Sequence, residues 1–112
     1  MTGDPQPEPR VQKLVRRLRS PDFVVRLHAG TVLGGMGAQA REAVPALVEL
    51  LQAGAVQDRK LAALELGYLG QAAADAVPTL LRAVRDADEG VRKMARIALD
   101  RIGPPTPRAA AA

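Results

Sequence analysis

Apolar residues fall along the chain at helical spacing. Val11, Leu14, Val15 and Leu18 occupy i, i+3, i+4 and i+7. Val44, Leu47, Val48 and Leu51 repeat that spacing, and so do Val77, Leu80, Leu81 and Val84. Each stretch is followed by a second of similar period: Val25, Ala29, Val32, Leu33 and Met36 after the first, and Val91, Ala95, Ala98, Leu99 and Ile102 after the last. The sustained apolar–polar alternation of a strand is missing. The pattern predicts helices near 9–19, 22–36, 41–52, 56–69, 74–85 and 88–102.

The helix pair recurs at an offset of 33 without a gap, in units 11–43, 44–76 and 77–109. Leu33, Leu66 and Leu99 coincide, as do Gly37, Gly70 and Gly103; Arg26, Arg59 and Arg92; and Ala29, Ala62 and Ala95. Such a period marks an array of supersecondary units that bury their apolar faces by stacking. Ser20-Pro21 reads as a helix cap followed by proline at the first helical position, and Asp86 with Glu89 has capping-box spacing. Gly37, Gly70 and Gly103 suit a left-handed residue closing each second helix. The middle unit departs from the pattern, with Ala55 where the others have Asp22 and Asp88, and Asp58 where they have Val25 and Val91. With no polar cap at Ala53-Gly54-Ala55, that helix start is expected to be the least protected helical segment.

These signatures resemble HEAT repeats, specifically the short bacterial and archaeal kind called phycobilisome-lyase HEAT-like repeats. Asp22-Phe23-Val24-Val25-Arg26 and Asp88-Glu89-Gly90-Val91-Arg92 are similar to the opening of that family's second helix, and Ala62-Ala63, Leu66-Gly67 and Leu69-Gly70 to its remainder. Ala43-Val44-Pro45-Ala46-Leu47 and Ala76-Val77-Pro78-Thr79-Leu80 are similar to its first helix. The resemblance implies an all-α fold, an α-solenoid (ARM/HEAT-like superhelix) of three 33-residue helix-hairpin repeats and six helices. The solenoid domain would cover 11–103, after a disordered segment or lead-in over 1–10 and before a flexible Pro/Ala tail over 104–112. The resemblance also implies a hydrogen-bonded ladder between units, carried by Asp22, Arg26, Arg59, Asp88 and Arg92. In that ladder Arg59 lacks its usual acid unless Asp58 or another carboxylate supplies it.

Composition narrows the chemistry. The 112 residues suit one domain, and the absence of cysteine excludes disulfides, thiolate metal sites and cysteine nucleophiles. Apolar runs fall far short of the ~20 residues that span a bilayer, so a cytoplasmic protein with no membrane contact is expected. The net charge of +4 is split into basic ends, over 1–20 and 92–112, and an acidic middle. That split interrupts the continuous basic stripe of a nucleic-acid binder, and 2% aromatic content leaves little to stack bases on. Ser20 is the single serine and is assigned to a cap, so no Ser-His-acid set is available. Gly34, Gly35 and Gly37 end a helix and lack a following Gly-Lys-Ser/Thr, which excludes a phosphate loop. The lone His28 is in register with Leu61 and Met94 and is expected to pack between units. No enzyme activity, metal or cofactor is expected.

In HEAT arrays the second helices line the concave face. A wheel at about 100° per residue places Leu27, Gly30, Thr31 and Gly34 opposite the core in the first unit. The same positions hold Lys60, Ala63, Leu64 and Gly67 in the second unit and Lys93, Arg96, Ile97 and Asp100 in the third, with Tyr68 near the edge. Leu27, Thr31, Leu64, Tyr68 and Ile97, rimmed by Lys60, Lys93 and Arg96, form the candidate surface for another protein, with the chain a monomer or weak homodimer. The small residues beside them either admit a partner backbone or are already covered by inter-unit packing. Two alternatives stand: nucleic-acid or acidic-ligand binding through the basic end helices, and a bilin-lyase role suggested by the family name alone.

Overall fold

The computed structural model describes residues 9–104. Its regular elements are α1 (Arg10–Arg17), α2 (Phe23–Met36), α3 (Val44–Ala53), α4 (Val56–Leu69), α5 (Val77–Ala83) and α6 (Glu89–Ile102), with 3-10 segments at Gly37–Ala43 and Gly70–Ala76. No strand occurs among the described residues. Most of the lead-in expected over 1–10 and of the tail expected over 104–112 lies outside them.

The expectation of six separate helices needs correction. The 3-10 segments join α2 to α3 and α4 to α5, so helical segments cover 10–17, 23–53, 56–83 and 89–102, four stretches of which the middle two are kinked at the joins. Gly37 and Gly70 close α2 and α4 at φ 61 and 60, both with ψ −136. This is a glycine-favouring region, but not the left-handed cap expected, whose ψ is near +47°. The chain re-enters helical geometry at once and bends again at Ala40 and Ala73. Ala40, Ala43, Ala73 and Ala76 are buried there, and their small side chains keep the links tight against the hairpins.

Within each unit the two helices pack on each other, α1 on α2, α3 on α4 and α5 on α6. Across units α4 lies between α2 and α6, and α3 lies beside α5. The core follows the repeat: Leu14, Leu47 and Leu80 from the first helices are buried, as are Leu33 and Leu66 from the second. Each such side chain contributes about 1.5–3 kcal/mol on leaving water.

The helix starts differ from the sequence reading. Asp22 and Asp88 cap α2 and α6, accepting from Val24 N–H and Val91 N–H at 2.9 Å each. Ser20 Oγ instead accepts the Asp22 N–H at 3.0 Å, and Asp86 accepts the Asp88 N–H at 2.9 Å. The residue preceding α4, Ala55, provides no side-chain cap.

Since Asp22 and Asp88 serve as caps, other carboxylates meet the arginines. Arg26 donates from Nε and Nη2 to both oxygens of Asp58, at 2.8 and 3.0 Å. Arg59 pairs the same way with Asp86, at 3.0 and 3.1 Å. The third nitrogen of each guanidinium donates to a carbonyl in the turn before its own helix, Ser20 O for Arg26 and Gly54 O for Arg59. Arg92 makes the carbonyl contacts alone, to Asp86 O and Ala87 O. Asp58 therefore serves Arg26 of the preceding unit, and Arg59 is fully partnered. Asp86 in the third unit corresponds to Ala53 in the second, so the acid missing at 53 is supplied from 58. The Arg59 guanidinium holds the Asp86 carboxyl below the usual carboxylate range.

Asp58 is only 4% exposed, and removing it leaves the Arg26 Nε and Nη2 donors without their acceptor. Asp58→Ala is expected to lower stability by about 2–4 kcal/mol in urea unfolding. The double change Arg26→Leu with Asp58→Val gives position 58 the valine of the other units, removes both charges together and should recover most of that loss. If the double variant is no more stable than Asp58→Ala, the pair does not couple the units as described.

Candidate functional site

Three second helices lie side by side, and the grooves between them collect most of the candidate residues. Leu27, Thr31, Leu64 and Tyr68 line one hollow of about 370 Å³ together with Gly34, Gly35, Leu61 and Glu65. An adjoining hollow of about 220 Å³ shares Leu27, Leu61 and Leu64 and adds Phe23, Gln57, Lys60 and Met94. Leu27 is 38% exposed and Tyr68 47%, while Leu64 is half-buried. Thr31 spends its hydroxyl proton on Leu27 O at 2.8 Å, so its oxygen remains free to accept. Lys93, Arg96 and Ile97 line neither hollow; Lys93 and Arg96 are exposed and Ile97 is half-buried. Arg101, outside the expected set, lies over the Tyr68 ring at 5.0 Å from its centroid.

The small residues of this face belong to helix packing. Gly30, Gly34, Ala63 and Gly67 are buried. A methyl group on Gly67 would meet the Ala98 Cα at 3.1 Å, so α4 and α6 are already in close contact there. The solvent-facing positions of a lone helix are thus partly consumed by the next unit. His28 goes the opposite way, being exposed where inter-unit packing was expected.

The feature that the sequence reading missed is Glu65. It is in register with Val32 and Ala98, both apolar, and only 2% of it is exposed. Its carboxyl lies on the glycine edge of α2: a methyl on Gly34 would approach Oε1 to 2.6 Å, and one on Gly30 would approach Oε2 to 3.3 Å. Among the described residues no hydrogen bond or ion pair reaches it, and it opens onto the larger hollow. Burial pushes its pKa up from 4.5 to about 7. Two signals were available in the sequence, an acid at an apolar register and glycines four apart on the neighbouring helix.

A second hollow of about 370 Å³ lies by the turns before α2 and α4, lined by Arg19, Ser20, Arg26, Glu49, Gly54 and Asp58 among others. Its charged groups already satisfy one another, through Arg26 with Asp58 and Arg19 with Glu49. The groove over Glu65 combines apolar walls with a carboxyl that has no partner among the described residues.

A family model described as HEAT repeats matches residues 44–112, more than half of the chain. The chain belongs to the HEAT repeat family. HEAT repeats commonly act as protein-interaction scaffolds and are generally non-enzymatic. A search of curated proteins gave no significant match. No helix among the described residues is long and apolar enough to cross a membrane.

The buried carboxyl makes stability depend on pH in a defined direction. Below about pH 4 Glu65 is protonated in both the folded and unfolded chain and carries no penalty. As pH rises from 4.5 to about 7 the unfolded chain ionises first, and folding stability falls. Above that range the deficit is constant, up to about 3 kcal/mol. Glu65→Gln is expected to be more stable than the parent by about 2–3 kcal/mol near pH 8, with most of the gain gone near pH 4. Urea unfolding at the two pH values checks this, and an equal gain at both would contradict it.

Proposed function

We propose that the chain is a non-enzymatic scaffold that docks another protein on the concave face formed by α2, α4 and α6. The observation that carries this reading is the pair of adjoining apolar hollows over Leu27, Leu61, Leu64 and Tyr68, open to solvent, with Lys60 on the wall of one. In this reading the three hairpins form a short right-handed α-solenoid over 11–103. Extents of 52 × 38 × 19 Å support two helix layers stacked in one direction. Units of this kind contact mainly their neighbours, which leaves one long face available.

Leu64 and Tyr68 supply the apolar contact, with the amphipathic ring as an anchor. Lys60, Lys93 and Arg96 favour acidic residues at the partner's edge, and Ile97 extends the surface toward α6. A cytoplasmic setting and a monomer or weak homodimer accompany the reading. The similarity of the Asp22–Arg26 and Asp88–Arg92 segments to phycobilisome-lyase HEAT-like repeats supports that subtype, without any bilin chemistry attached.

The test is affinity capture from native lysate, comparing the parent with the double variant Leu64→Glu plus Tyr68→Ala. The parent is expected to retain proteins that the variant loses while keeping its helical spectrum. Equal capture by both would overturn the assignment to this face.

A further inference from the structure

Glu65 gives the groove a chemical preference. It is a carboxyl with no partner among the described residues, set beside Gly30 and Gly34 and facing the 370 Å³ hollow. The carboxyl oxygens keep a little solvent contact through that hollow, yet ionising a group so enclosed and unpaired is costly, and pairing it with a cation recovers that cost. The neighbouring elements do not supply one. Arg26 on α2 is held by Asp58 and Ser20 O, Arg101 on α6 is stacked on Tyr68, and His28 on α2 is exposed. The hollow before the carboxyl is mostly apolar, walled by Leu27, Leu61, Leu64 and Tyr68 with Thr31 among them.

We propose that this groove recognises a lysine side chain of the docked protein, its ammonium on Glu65 and its four-carbon stem between the leucines. The inference rests on the docking role proposed for this face. A lysine stem is apolar and its head a compact charge with three donors, which suits a narrow apolar entry. The planar fork of arginine needs two donors aligned with one carboxylate, and the glycine edge of α2 occupies one side of Glu65. Lys60 lines the adjoining hollow, and Lys93 and Arg96 are exposed on α6 outside both hollows, so the matching segment carries acidic residues around that lysine. The partner is thus an acidic, apolar segment with one lysine at its centre. The glycines serve the same end, because a side chain at position 34 would fill the space that the carboxyl occupies.

The probes are the side chains themselves: n-butylammonium for lysine, n-propylguanidinium for arginine and butan-1-ol as the neutral counterpart. Each is titrated into the protein near pH 8 at matched ionic strength, following amide and methyl resonances of Leu27, Thr31, Leu61 and Leu64. The ammonium is expected to shift these signals and to bind about fivefold or more tighter than either other probe, as expected for a charge-assisted contact. In Glu65→Gln, whose folding is checked in the same spectra, that advantage should disappear. Butan-1-ol binding equally well, or Glu65→Gln keeping the preference, would overturn the proposal. Tighter binding of the guanidinium would overturn the choice of lysine. Capture experiments separate this from the docking role. Loss of the ammonium preference with capture still dependent on Leu64 and Tyr68 sinks the lysine assignment alone. A retained preference with capture indifferent to those residues sinks the docking role.

Discussion

The close approach of α4 to the helices on either side of it is the constraint from which the rest of the structure follows. A single helix pair cannot bury its own apolar face, so each unit depends on its neighbour. Small side chains set how near the neighbour comes: Gly30 and Gly34 on α2 toward α4, and Gly67 on α4 toward Ala98 of α6. Close packing of this kind leaves little freedom for added volume. It also decides which side chains of the second helices reach solvent. The surface that remains is the groove where Leu27, Leu61, Leu64 and Tyr68 converge.

Polar coupling follows the same stacking. Each paired arginine fastens the turn before its own helix through one nitrogen and reaches the next unit with the other two. A guanidinium suits this task because its donors lie in one rigid plane. The middle unit preserves the pairing by an exchange of positions, with Asp58 taking the place of an apolar residue and acting for the missing acid at 53. The pair is nearly buried, so the cost of taking both charges out of water offsets much of their attraction. Glu65 is the contrasting case, an acid at an apolar register with no arginine to meet it.

Much of this was legible in the chain. The 33-residue offset gave the helix positions and the recurring leucines, since helical periodicity survives any packing arrangement. The kinked run of helix through Gly37–Ala43 and Gly70–Ala76 was less visible, because short alanine-rich links carry no period of their own. The identity of the acids facing Arg26 and Arg59 also escaped. Asp22 and Asp88 sit at cap positions, and capping competes with ion pairing for the same oxygens. Exposure on the second helices was misjudged at Gly30, Ala63 and Gly67, since a wheel describes one helix and not the neighbour that covers it. Glu65 was missed for the same reason. Its significance depends on glycines of another helix.

An ionisable group that is buried, without a partner among the described residues and facing an apolar groove is the point on which packing and recognition meet. The most direct measurement is a ¹³C titration of the Glu65 side-chain carboxyl in the folded protein. A midpoint at about 7 is expected for a carboxyl enclosed in this way. A midpoint near the ordinary value of 4.5 would show that the carboxyl is solvated or paired, and would contradict this.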